Sequence, residues 1–94
     1  MASGSDRAAY VQAVQDLYLR LRGGGLTLSP VDADRIRAWW EAGVPLELAL
    51  EGVRAAHAAF AAGGRRMRPF PLRAAERWVA ELAGRHERRG GAFD

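Results

Sequence analysis

The sequence predicts an all-α fold: one compact domain of four helices. Three observations carry this. Apolar residues recur at three- and four-residue spacing in four separate stretches. Glycine and proline stand between those stretches, at Gly23-Gly24-Gly25, at Gly43 and Pro45, and from Gly63-Gly64 to Pro71. The one short extended stretch, Leu26-Thr27-Leu28, finds no partner strand elsewhere in the chain.

The first helix is expected from about Asp6 to Arg22, with Asp6 as its cap. Tyr10, Val14, Leu17, Tyr18 and Leu21 form its apolar stripe. The glycine run at 23–25 ends it.

The second helix runs from Pro30 to about Ala42. Ser29 caps it, and Pro30 stands in the first turn, where its missing N–H costs nothing. Asp32 and Asp34 place negative charge at the positive end of the helix dipole. Ala33, Ile36 and Trp40 make the inward face. Trp39 lies about a hundred degrees round from Trp40. One ring is therefore core, and the other covers a neighbouring element or meets solvent.

The third helix spans Pro45 to about Ala62, striped by Leu46, Ala49, Leu50, Val53, Ala56 and Phe60. Its many alanines permit close approach of a neighbouring helix. Arg65 to Pro71 follows as a loop, held extended by its two prolines and anchored on the core by Phe70. The fourth helix runs from about Leu72 to Arg88. Ala75, Val79 and Leu82 face inward with Trp78 beside them. Glu81 is four residues from both Arg77 and Arg85 and can pair with either. The domain thus occupies 6–88, with 1–5 expected disordered and 89–94 a frayed tail.

A chain of 94 residues buries about two-thirds of its unfolded surface, enough for one core. Cysteine is absent, so disulfides and thiolate metal ligands are excluded. No apolar run approaches the length of a membrane span. The N-terminus lacks the apolar core of a secretory signal, and a cytoplasmic location is expected.

Charge is unevenly spread. All 14 basic residues are arginine. Residues 1–62 hold six of them against seven acids, whereas residues 63–94 hold eight against four. A local basic excess points to a polyanionic or acidic partner.

Catalytic constellations are missing. His57 and His86 lie on different helices without metal-site spacing, and no cofactor or metal is expected. The acids sit at helix starts or opposite arginines, and Ser29 is occupied by capping. The glycine run has neither a preceding strand nor a following lysine, so it is not a phosphate cradle. The Trp39-Trp40 pair could stack bases or serve packing alone.

Arg65, Arg66 and Arg68 form the strongest functional candidate, beside Phe70, with Arg73, Arg77 and Trp78 following on the last helix. Arginine forks bind phosphate at two points, and basic residues interleaved with aromatics suit a nucleic-acid backbone. An Arg-biased composition would give the same cluster as an ordinary solvated loop.

The run from Leu28 to about Leu82 resembles the DnaD-like domain of bacterial and phage replication-initiation proteins. The resemblance rests on Leu28-Ser29-Pro30, the acids that follow, Ile36, Trp40, Gly43 and Pro45-Leu46-Glu47-Leu48. An alanine-rich helix, a basic loop and a last helix bearing Trp78 complete it. The family's closing motif pairs a tyrosine with a tryptophan a few residues later, and no tyrosine follows Tyr18 here. The resemblance implies a compact helical module that binds DNA, often single-stranded, through Arg65, Arg66, Arg68 and Trp78.

Together these readings lead to the expectation of a non-catalytic nucleic-acid-binding module. Its contacts are Arg65, Arg66, Arg68, Arg73, Arg77 and Trp78. The alternative is an assembly subunit that meets an acidic protein surface or a second copy of itself.

Overall fold

The computed structural model describes residues 3–23, 28–64 and 69–90. It contains four α-helices: α1 (Ser3–Arg22), α2 (Pro30–Glu41), α3 (Leu46–Ala62) and α4 (Glu76–Gly90). A 3-10 turn, Leu72–Ala75, leads into α4. Among the described residues there is no strand.

Helix α1 begins at Ser3, three residues before the expected start. Once a helix is nucleated, each added residue gains a hydrogen bond, so the helix extends backwards. Asp6 therefore stands inside the first turn, facing the positive dipole end, and does not cap. Ser3–Ser5, within the stretch 1–5 expected to be disordered, are helical. Residues 1 and 2 lie outside the described residues. At the other end α4 continues to Gly90, past the expected stop at Arg88; the remaining tail, 91–94, is not among the described residues.

The corner between α2 and α3 follows its sequence signals. Ser29 Oγ accepts the Asp32 N–H at 3.1 Å, and Pro30 opens the helix. Gly43 takes the left-handed backbone (φ 81°) that stops α2. Its N–H and that of Val44 donate back to the Trp40 and Trp39 carbonyls at 3.0 Å.

Helix α1 packs on both α2 and α3, and α3 packs on α4. The 3-10 turn touches α3, α4 and α2. The result is a flat slab of 44 × 28 × 17 Å. The core gathers Tyr10, Val14, Leu17 and Tyr18 of α1, Ile36 and Trp39 of α2, and Ala49, Val53 and Ala56 of α3. Phe70, Leu72, Ala75 and Val79 complete it.

Trp39, not Trp40, is the buried ring of α2. Both lie on the Ile36 side, three and four residues on, so periodicity admits either. Trp39 enters the core, and Trp40 lies half-buried against Tyr10 of α1 in a T-shaped contact, with ring centroids 5.4 Å apart. Gly52 of α3 is buried against Val79 of α4. A Cβ there would stand 2.5 Å from Val79 Cγ2 and 3.0 Å from the Val79 backbone. The absent side chain at Gly52 sets how closely α3 and α4 approach.

Candidate nucleic-acid interface

The stretch that joins α3 to α4 is held at both ends. At its start, Gly63 and Gly64 close α3, and the Gly63 N–H donates to the Ala59 and Phe60 carbonyls. At its end, Phe70 is buried, as the sequence predicts. Three aromatic side chains surround it: Tyr18 at 5.7 Å, Phe60 at 5.6 Å and His57 at 5.1 Å between ring centroids. The Tyr18 hydroxyl donates to the Phe70 carbonyl at 2.7 Å. His57 is thus an edge-on packing partner of Phe70, and His86 is exposed on α4. No group of three metal-ligating side chains forms among the described residues.

Arg65, Arg66 and Arg68 lie outside the described residues, between these two anchors. Arg73, Arg77 and Trp78 are described, and the fold brings them together. They line one open groove of about 410 Å³, whose other walls include Ala56 and Phe60 of α3 and Gly63 just after it. Arg73 comes from the 3-10 turn and Arg77 from the first turn of α4. Both are exposed, and neither forms an ion pair among the described residues. The Arg77 guanidinium lies 5.8 Å from the Trp78 ring centroid. The expected pairing of Arg77 with Glu81 gives way to this contact. Glu81 faces Arg85 instead, at 3.4 Å.

Other arginines are engaged within the fold. Arg37 pairs with Asp34, and Arg22 lies over the Tyr18 ring at 5.3 Å. Arg35 reaches from α2 to Asp32 at 3.2 Å and to Glu76 at 2.5 Å. The hydrogen bond to Glu76, partly offset by desolvation, holds the Arg35 guanidinium above its ordinary pKa. Glu76 is three residues from Arg73 and next to Arg77. Arg35 takes this carboxylate, and neither groove arginine forms an ion pair with it. No local pattern signals this link, because the two residues are 41 positions apart.

A second open groove, about 420 Å³, lies between the first half of α1 and the corner that joins α2 to α3. Its walls are Ala9, Tyr10, Trp40, Gly43, Val44, Pro45 and Leu46, with Asp6 at the rim. The Tyr10 hydroxyl is tied to the Val44 carbonyl at 3.0 Å, and burial pushes its pKa up to about 12. Neither groove includes His57.

The fold and this surface define a small all-α bundle with a groove of arginine and tryptophan at one end. The chain belongs to a protein family whose model matches residues 5–92 and is described as "Uncharacterised protein". No curated protein and no solved structure matches it. Among the described residues, no helix is long and apolar enough to cross a membrane.

Proposed function

We propose that this chain is a non-catalytic nucleic-acid-binding module, cytoplasmic and weakly sequence-specific. It holds phosphates with Arg73 and Arg77 and with the adjoining Arg65, Arg66 and Arg68, and offers Trp78 to a sugar or base. The observation that carries the reading is the pair Arg73 and Arg77. Both line one groove beside an indole, and neither is in an ion pair among the described residues. Guanidinium groups left free in this way bind phosphate oxygens by charge-assisted forks. The DnaD-like resemblance points the same way, with DNA, including single strands, as the first choice.

The test is a charge-reversed variant, Arg73→Glu with Arg77→Glu, beside the parent chain. Anisotropy of labelled single- and double-stranded oligonucleotides is the readout. The variant should lose most of the affinity while keeping its helical circular dichroism. Equal binding by parent and variant contradicts the reading.

A second reading, an assembly subunit, is favoured by one observation. The groove of Tyr10, Trp40, Val44 and Leu46 is an apolar surface with no internal partner.

A further inference from the structure

We propose that the groove beside Tyr10 and Trp40 docks a basic segment of another protein, which seats one large apolar side chain between lysines or arginines. The proposal rests on the assembly reading, to which it gives a partner chemistry, and it uses no residue of the arginine groove.

Two separate parts of the chain build this groove. Asp6, Ala9 and Tyr10, at three- and four-residue spacing, present one face of α1. Trp40, Gly43, Val44, Pro45 and Leu46 supply the other wall, from the end of α2 through the corner into α3. The hydrogen bond from Tyr10 to the Val44 carbonyl and the ring contact of Tyr10 with Trp40 join the two walls. The concavity therefore exists before anything enters it. Trp40, Val44, Pro45 and Leu46 are only half-buried, and Ala9 is exposed with nothing beyond its Cβ to close the opening. A preformed apolar concavity of this kind takes a large anchoring side chain.

Charge selects what carries the anchor. Asp6 lines the groove. Glu41 and Glu47 stand in the stretch that forms the second wall, next to Trp40 and Leu46, and both are exposed. None of these three carboxylates is in an ion pair among the described residues. No arginine occurs between Arg37 and Arg54, and Arg37 is already paired with Asp34. Arg7 follows Asp6 but does not line the groove. The apolar walls are thus set in a locally acidic stretch of a chain whose net charge is +3. Carboxylates here repel nucleic acid and anionic membrane surfaces, and two such grooves placed face to face bring like charges together. A basic protein segment is the complementary occupant. Its anchor fills the groove while its cations meet Asp6, Glu41 and Glu47.

Random peptides displayed on phage and selected on the parent chain test this. The selected peptides should place Phe, Trp, Leu or Met between lysines or arginines, against the repulsion of the chain's own positive charge. Titration of one synthetic selected peptide against two variants then locates it. Ala9→Arg puts a bulky cation in the mouth of the groove, at an exposed helical position, and should weaken binding by about tenfold or more. Asp6→Asn with Glu41→Gln and Glu47→Gln removes only charge. It should weaken binding clearly at low salt and much less at high salt. Both variants should keep the helical circular dichroism of the parent. The proposal is overturned if no peptide is enriched, or if the enriched pool lacks basic residues around an apolar anchor. It is equally overturned by a peptide that binds either variant as tightly as the parent at low salt. Sedimentation of the parent alone checks the assembly reading separately. Self-association that Ala9→Arg abolishes makes the occupant a second copy, which overturns the basic-partner proposal and leaves the assembly reading standing.

Discussion

The Tyr18 hydroxyl donates a 2.7 Å hydrogen bond to the Phe70 carbonyl, across 52 residues of sequence. Both groups are buried. The bond fixes the end of the arginine-rich segment to the middle of the bundle, and so sets where the segment re-enters the fold. Tyr18→Phe removes the donor and keeps the ring. The Phe70 carbonyl is then buried without a partner, at a cost of about 1–3 kcal/mol. Chemical denaturation of the two proteins should show that loss, with little change in the slope against denaturant.

Gly52→Ala should destabilise although alanine is the better helix former. The intrinsic gain is about 1 kcal/mol. Against it stands a Cβ placed 2.5 Å from Val79 Cγ2 and 3.0 Å from the Val79 backbone. The side chain can turn, but the α4 backbone must move. Overpacking of this kind costs about 1–3 kcal/mol. A lowered melting temperature is the expected result, and a raised one means that α3 and α4 separate easily.

Arg35→Ala should weaken oligonucleotide binding more than it weakens the fold. A partly exposed ion pair contributes at most about 1 kcal/mol. Its removal frees the Glu76 carboxylate beside Arg73 and Arg77, where it competes with phosphate. Adding Glu76→Gln to the same protein should restore the lost affinity. If the double variant binds as poorly as Arg35→Ala alone, the shielding role assigned to Arg35 is wrong.

Alkaline pH should unfold the protein through Tyr10. Burial raises its pKa from 10.0 to about 12 in the folded state. The unfolded chain ionises first, so the contribution is complete below pH 10.0 and is lost as pH rises towards 12. The slope is at most about 1.4 kcal/mol per pH unit for one proton. Thermal melts across that range should fall for the parent. Tyr10→Phe should start lower, having lost its bond to the Val44 carbonyl, and should fall less steeply.

The helix borders were largely written in local chemistry. Ser29, Pro30, Gly43 and Pro45 act within a few residues of themselves, so the corner between α2 and α3 is where the sequence places it. The same holds for Phe70, whose neighbouring prolines leave it little choice but to anchor the loop. The choice between Trp39 and Trp40 depends on how α2 packs on the rest of the bundle, which no local signal contains. The 3-10 start at Leu72–Ala75 and the close approach at Gly52 are also products of packing against other elements. At the candidate site, Arg73, Arg77 and Trp78 follow from helical spacing and do share a groove. Arg35 was hidden because its partner Glu76 is 41 residues away.

The central claim is that free guanidinium groups at the α3–α4 end bind nucleic-acid phosphates. Its most direct test is the anisotropy of a labelled single-stranded oligonucleotide titrated with the parent chain at several salt concentrations. Releasing counterions from several phosphates should make the logarithm of the affinity fall linearly with the logarithm of salt, with a slope of about −0.7 per phosphate contacted. Folded protein that does not bind at low salt, or that binds with no dependence on salt, contradicts the claim.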